Sequence, residues 1–357
     1  MKKGLFYCQP FVGLGHLKRS LYICKELVKS FEIDFLYGGP EEGLFFEHPN
    51  FHLHRLPALL LEDLQQPETI LMERKKSLEP FKSRFYDFAI TEMYPFTKMN
   101  MQGEIDPLLE ALSKVNPKCL IFSSLKGIML PIKEVDWINE KIARFYQYIL
   151  NHADPSVVAA EEFMKLTPGM SAKLIYTGFV SDPEPLDFTL PREKRIVVTI
   201  GAGSYGGELP LTLLQVPPLF PDYQFHFSFG PKVLPELVEL ARKSPYKNVT
   251  VAGFINDFTH YLSRSALSIS LGGSTLIDAM KARIPSLVYP DTYEEHLFRT
   301  KKLMQRGGIQ LIRREDLYPT RLASLVQTVL QKPYLPPPLL LNGAEFTHAF
   351  IKDRLSQ

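Results

Sequence analysis

A histidine set behind two closely spaced glycines is the first group in this chain suited to chemistry. The chain reads Pro10-Phe11-Val12-Gly13-Leu14-Gly15-His16-Leu17-Lys18-Arg19-Ser20. Gly13 and Gly15 predict a tight strand-to-helix turn that exposes backbone donors, and His16 falls at the helix start. There the helix dipole disfavours an imidazolium and keeps the ring neutral and basic. A neutral imidazole can take the proton of an attacking hydroxyl. A helix cap or a core histidine would put the same residue in the same place. Glu92, in Thr91-Glu92-Met93-Tyr94-Pro95, follows an apolar run, so it falls at the C-terminal edge of a strand, where α/β proteins collect ligands. It can orient His16, act as the base itself or bind an acceptor. Capping the next turn or pairing with Arg19 are the plainer uses.

A second glycine turn lies in the stretch 251–308. An apolar strand, Ala266 to Leu271, breaks into Gly272-Gly273-Ser274-Thr275 and a new helix carrying Asp278. Glycines between a strand end and a helix start let N–H groups approach an anion, and the helix dipole favours negative charge there. A carboxylate on that helix can accept from vicinal hydroxyls such as those of a ribose. Diphosphate plus ribose is a nucleotide.

These segments together resemble the nucleotide-binding half of a GT-B glycosyltransferase, specifically the family of the peptidoglycan N-acetylglucosaminyltransferase that makes lipid II. The resemblance implies Gly253-Phe254-Ile255 for the uracil, Gly272 to Thr275 for the diphosphate, Asp278 for the ribose and Glu295-His296 for the sugar hydroxyls. A Gly-x-Gly-His loop opens the acceptor domain of that family, matched here by Gly13 to His16. Gly201-Ala202-Gly203-Ser204 resembles the loop that faces the donor diphosphate, with Ser204 and the amides around Gly203 as donors. Two positions depart from the pattern. Asp278 stands where Glu is usual and is one methylene shorter. His296 stands where the polar pair usually ends in Gln, which leaves the donor sugar open.

The elements that must position these residues follow an α/β pattern of short apolar strands and helix-period runs. The first half predicts strands at Gly4–Cys8, Glu32–Tyr37, Phe51–Leu56, Phe88–Thr91, Cys119–Ser123 and Leu174–Thr177. Helices are expected at Leu17–Lys29, Ile105–Leu112 and Ile132–Leu150. Ser181-Asp182-Pro183-Glu184-Pro185 reads as a proline-rich linker, after which the alternation restarts at Arg195–Ile200. Strands at Gln224–Phe229, Val249–Ala252, Ser268–Leu271 and Ser286–Tyr289 follow. The expectation is two Rossmann-like doubly wound domains facing a cleft, the GT-B architecture: 1–180 for the acceptor, 181–335 for the nucleotide-sugar, and a tail 336–357 whose helix crosses back to the first domain.

Composition fits an enzyme of this size. The 357 residues are 45% hydrophobic and 22% charged, with a net charge of +2 that implies no nucleic-acid partner. The three cysteines form no CxxC and read as buried reduced thiols. No signal peptide and no apolar run of transmembrane length is visible, so a cytoplasmic location is expected. The short run Ala58 to Leu61 leaves peripheral contact with the inner face of a membrane open, although a core segment is the plainer reading. No Asp-x-Asp pair occurs, and His52-x-His54 lacks a third ligand, so no metal site is expected.

The reading is inverting, metal-independent transfer from a UDP-sugar, a substrate rather than a cofactor. The acceptor is an unidentified carbohydrate, lipid-linked or small molecule. His16, aided by Glu92, takes the acceptor proton, and Arg299 and backbone amides steady the leaving diphosphate. The same motifs also resemble nucleotide-sugar hydrolases of this fold, though the segments Phe88 to Phe96 and Tyr148 to Pro155 look more like transferases. A non-catalytic nucleotide-sugar-binding or activator protein is the remaining alternative.

Overall fold

The computed structural model describes all residues except 12–13, 41–42, 61, 66–67, 130, 201–206, 231–232, 254 and 291–293. Seven strands build the first sheet: β1 (Lys2–Cys8), β2 (Phe31–Tyr37), β3 (Phe51–Arg55), β4 (Phe88–Glu92), β5 (Leu120–Lys126), β6 (Tyr148–His152) and β7 (Leu174–Tyr176). Their order is β3-β2-β1-β4-β5-β6-β7, and every pairing is parallel. A parallel sheet is covered on both faces, which is why β1 is buried without alternation from Gly4 onward. Gly4 is needed there, since a Cβ would fall 2.2 Å from the Phe88 ring.

Six strands build the second sheet: β8 (Arg195–Thr199), β9 (Gln224–Ser228), β10 (Val249–Ala252), β11 (Leu267–Ser270), β12 (Ser286–Val288) and β13 (Ile309–Leu311). The order β10-β9-β8-β11-β12-β13 is again parallel throughout. The two sheets therefore share one topology. In each, the order reverses between the first strand and the fourth, and at such a switch point the loops diverge and leave a crevice for ligands.

The chain divides into two compact units. Met1–Gly127, Pro131–Pro183 and Leu340–Gln357 form the first, and Glu184–Leu339 forms the bulk of the second. Each has its own core. That of the first gathers Phe6, Phe31, Phe35, Phe88 and Phe122, and that of the second Val198, Phe225, Phe227, Ile269 and Leu287. The last helix, Gly343–Arg354, belongs to the first unit: Ile351 is buried in its core, and the Phe350 ring meets Tyr148 edge-on at 5.1 Å. The Phe179 N–H donates to Leu340 O at 2.8 Å and Val180 bridges Asn342, which ties the returning chain to the segment after β7.

One expected element is corrected. The helix Ile132–Leu150 stops early; it runs Val135–Phe145, and Tyr148–His152 is strand β6. The aromatic and β-branched run Phe145-Tyr146-Gln147-Tyr148-Ile149 favours the pleated state, and Tyr146 already has extended backbone, φ −100° and ψ 133°. The helix Glu68–Lys82 and strand β13 were not expected at all.

Candidate active site

The first switch point is built from the ends of β1 and β4. The helix Gly15–Leu27 starts close behind β1, with Gly15 and His16 as its first two residues. Glu92 is the last residue of β4 and pairs in register with Ser124 of β5. This brings His16 Nδ1 to 2.6 Å from Glu92 Oε1 across 76 positions of sequence. Glu92 has no exposed side-chain surface, whereas His16 keeps 24% of its own. Arg19, one turn along from His16, also donates to Oε1. Lys98 donates to Oε2 and, at 2.7 Å, to the Glu92 carbonyl.

The electrostatics follow from burial and this crowd of cations. Burial opposes the Glu92 charge, but His16, Lys98 and Arg19 outweigh it and hold the carboxyl well below the usual range. Burial lowers the His16 pKa from its ordinary 6.5; Glu92 pulls it up, and Arg19 and Lys126 push it down. An ionised carboxylate only accepts, so Nδ1 of His16 carries the hydrogen of that bond and Nε2 keeps its lone pair. Among the described residues Nε2 has no hydrogen-bond partner.

The neighbouring strand ends are filled by polar groups satisfied among themselves. Ser124 Oγ lies 2.8 Å from His152 Nε2, and His152 Nδ1 lies 2.8 Å from Thr177 Oγ1. Burial lowers the His152 pKa to about 3, with Arg19 adding to the effect. Ser123 donates to Tyr94 O at 2.7 Å. Both serines are buried inside the unit. Asp154 is a structural acceptor: it takes the N–H of Ser156 at 2.9 Å and that of Leu340 at 3.0 Å.

At the second switch point, Gly272 follows β11 with φ +82°, a conformation that L side chains rarely adopt. A Cβ there would also fall 2.7 Å from Thr300 Oγ1. Ser274 is exposed at the start of the helix Thr275–Lys281, and its hydroxyl makes no capping bond. Gly273 and Thr275 are partly exposed. Asp278, in the first turn, is buried, and its Oδ1 accepts from Thr259 Oγ1 at 3.4 Å.

Beside the glycine turn runs the helix Glu294–Met304. Glu295 is buried and accepts from Arg299 at 2.6 Å, and Arg299 Nη1 donates to Gly272 O at 3.0 Å. Arg299 therefore braces the turn rather than standing open. The His296 ring comes next to Gly273, with Nε2 3.7 Å from where a Cβ would be. Ile255 is partly buried between β10 and the helix Phe258–Ser263. Gly13, Gly201, Gly203, Ser204 and Phe254 lie outside the described residues. Among the described residues no group of three His, Cys, Asp or Glu is placed to hold a metal ion.

Lys98 went unread in the sequence. It belongs to no motif and reaches Glu92 only because the chain doubles back after β4 through Met93, which has φ +63°.

Comparison with known proteins agrees with this fold. Residues 196–338 match the glycosyltransferase family 28 C-terminal domain. A protein of Methanosarcina acetivorans described as an uncharacterized glycosyltransferase is 26% identical over 323 residues, covering 83% of this chain and 79% of its own. Among solved structures, an Arabidopsis thaliana protein in complex with UDP superposes with a TM-score of 0.63 at 12% identity, covering 99% of this chain and all of its own. MurG of Acinetobacter baumannii superposes with a TM-score of 0.58 at 13% identity, over the full length of both. Two Rossmann-like parallel sheets with these likenesses define the GT-B fold. The chain is a glycosyltransferase with this fold, and its second half resembles family 28.

Proposed function

We propose that the chain transfers a sugar from a UDP-sugar to an acceptor hydroxyl with inversion at the anomeric carbon. The observation that carries this is the His16–Glu92 pair at the first switch point. His16 Nε2 takes the acceptor proton while the hydroxyl oxygen bonds to the anomeric carbon and the bond to the diphosphate breaks. Glu92 steadies the imidazolium that forms. This hydrogen-bonded base and orienting carboxylate is what activating a hydroxyl requires.

The donor belongs to the second unit. Gly272 to Thr275 and the start of the following helix hold the diphosphate, with Gly201, Gly203 and Ser204 beside it. Asp278 takes the ribose hydroxyls. Phe254 and Ile255 flank the base, and Glu295 and His296 meet the sugar. The UDP bound to the Arabidopsis protein supports uridine as the nucleoside. Backbone amides rather than a metal ion offset the leaving charge, so activity survives chelator treatment. The acceptor is a carbohydrate, lipid-linked or small-molecule alcohol. Among the described residues no helix is long and apolar enough to cross a membrane.

The test is calorimetric titration with UDP, TDP, GDP and ADP, run beside an Asp278→Ala variant. Selective UDP binding that the variant loses supports the donor site. TDP selectivity redirects the search to deoxysugar donors, and binding of no nucleotide sinks the reading. Incubating UDP-sugars with and without alcohols then separates transfer from hydrolysis, because a hydrolase frees sugar with no acceptor present.

A further inference from the structure

Glu92 is surrounded by more positive charge than one carboxylate needs. The turn after β4 is pinned on several sides: Met93 N–H donates to Ser124 O at 2.8 Å, Thr97 N–H to Met93 O at 3.1 Å, and the hydroxyls of Thr91 and Ser123 both donate to Tyr94 O. This brings Lys98 back beneath the strand end, where it is 2% exposed. A buried ammonium is costly unless a charge answers it, and among the described residues both of its bonds go to Glu92. Arg19 approaches the other carboxylate oxygen from the helix Gly15–Leu27 and lies 3.5 Å from His16 Nδ1.

We propose that Lys98 and Arg19 are positioning residues for the base. By occupying the two Glu92 oxygens as charged donors they hold that carboxylate as an acceptor. This fixes His16 with its Nδ1 hydrogen on Glu92 and its Nε2 lone pair open to a proton. The inference rests on the reading of His16 as the base.

The chemistry turns on the tautomer. A Glu92 that held a proton could donate it to Nδ1; the ring hydrogen would then sit on Nε2, and His16 could accept nothing. Two cations prevent this. They also draw Glu92 away from over-stabilising the imidazolium, so the base gives its proton back. The groups acting on His16 from its surroundings are Glu92 on β4, Arg19 on its own helix and Lys126 on β5, and Lys98 reaches it through Glu92. Cys8 on β1 and His152 on β6 lie in the same electrostatic neighbourhood, and burial keeps both neutral.

Nitrogen-15 NMR of the full chain tests this without any substrate. In the wild type the His16 signals show the tautomer protonated at Nδ1 near neutral pH. In Lys98→Met, and separately in Arg19→Gln, the His16 titration midpoint rises by about one pH unit, because one repelling cation is gone and Glu92 answers the imidazolium more fully. The acid limb of kcat/KM moves the same way while KM for the donor stays within about twofold. Lys98→Arg returns the midpoint to that of the wild type. A midpoint unmoved in both variants overturns the proposal, even if activity falls. Should Lys98→Met fail to fold, Arg19→Gln, at a partly exposed position, carries the same test. If no nucleotide binds, the transferase reading fails while the NMR midpoint still decides this one. Intact transfer with an unmoved midpoint sinks only this one.

Discussion

Glu92 Oε1 accepts from His16 Nδ1 at 2.6 Å while Oε2 of the same carboxylate is held by Lys98. A single buried acid thus serves a candidate base through one oxygen and a buried cation through the other. The base is tuned by three elements at once: the strand that ends in Glu92, the helix that opens with His16 and the turn that returns Lys98.

Replacing His16 with Gln removes the proposed base and keeps a side chain of similar size. The rate of transfer is expected to fall by about two to four orders of magnitude, the usual worth of a positioned general base. Calorimetry should find UDP affinity unchanged, because the proposed donor residues belong to the other unit. A variant that keeps a rate within about tenfold of the wild type would pass the role to Glu92 or to water.

The pH profile carries a sign that can be checked. Burial, Arg19 and Lys126 together outweigh the pull of Glu92 and leave the His16 pKa below 6.5. The base works only when neutral, so kcat/KM is expected to stay level down through pH 6.5 and to drop at a lower pH. A drop that begins above that value would mean that Glu92 stabilises the imidazolium more than the cations oppose it.

The Gly272-Gly273 turn and the place of His16 at a helix start were legible because both are local: a strand end, one or two glycines and a polar residue are adjacent in the chain. Glu92 was legible as a strand-end acid, but its partners were not. Lys98 is six positions further on, and only the backbone path through Met93 brings it back. The fold class followed from the alternation of apolar runs. What escaped was short or atypical. β13 has three residues, and in the helix Glu68–Lys82 only Arg74, Leu78 and Phe81 are buried, so its apolar stripe is thin. Arg74 itself is a buried cation matched to Glu104 at 2.8 Å, a pairing across 30 positions that no spacing rule announces.

Stability should depend on pH through His152. Its folded pKa is depressed from 6.5 to about 3, so between those values the unfolded chain binds a proton that the folded chain does not. Stability therefore falls as pH falls through that window, by up to about 1.4 kcal/mol per pH unit for one proton. His16, His226 and His348, all lowered first by burial, act with the same sign. Urea unfolding followed from neutral pH to about pH 5 should show a shallower slope in His152→Asn than in the wild type. Equal slopes would mean that His152 already carries its proton in the folded state.

The two glycines of the proposed donor turn should respond differently to the same substitution. Gly272 has φ +82°, and a Cβ there would stand 2.7 Å from Thr300 Oγ1 and 3.0 Å from Val288 Cγ1. Neither neighbour can yield freely: Thr300 donates to His296 O at 2.7 Å within its helix, and Val288 ends β12. Gly272→Ala combines backbone strain with a clash, worth about 1–3 kcal/mol. It pushes the turn away from Arg299, which holds the Gly272 carbonyl. At Gly273 the added methyl would meet, among the described residues, only the His296 ring, at 3.7 and 3.8 Å, which is ordinary contact. The expected result is a lowered unfolding midpoint and UDP binding weakened about tenfold or more in Gly272→Ala, as loss of some 1.4 kcal/mol implies. Gly273→Ala should unfold like the wild type. Any loss of UDP affinity there would report the close approach of a phosphate to that backbone, since strain cannot explain it. Matched losses of stability in the two variants would show that backbone conformation at Gly272 does not govern the turn.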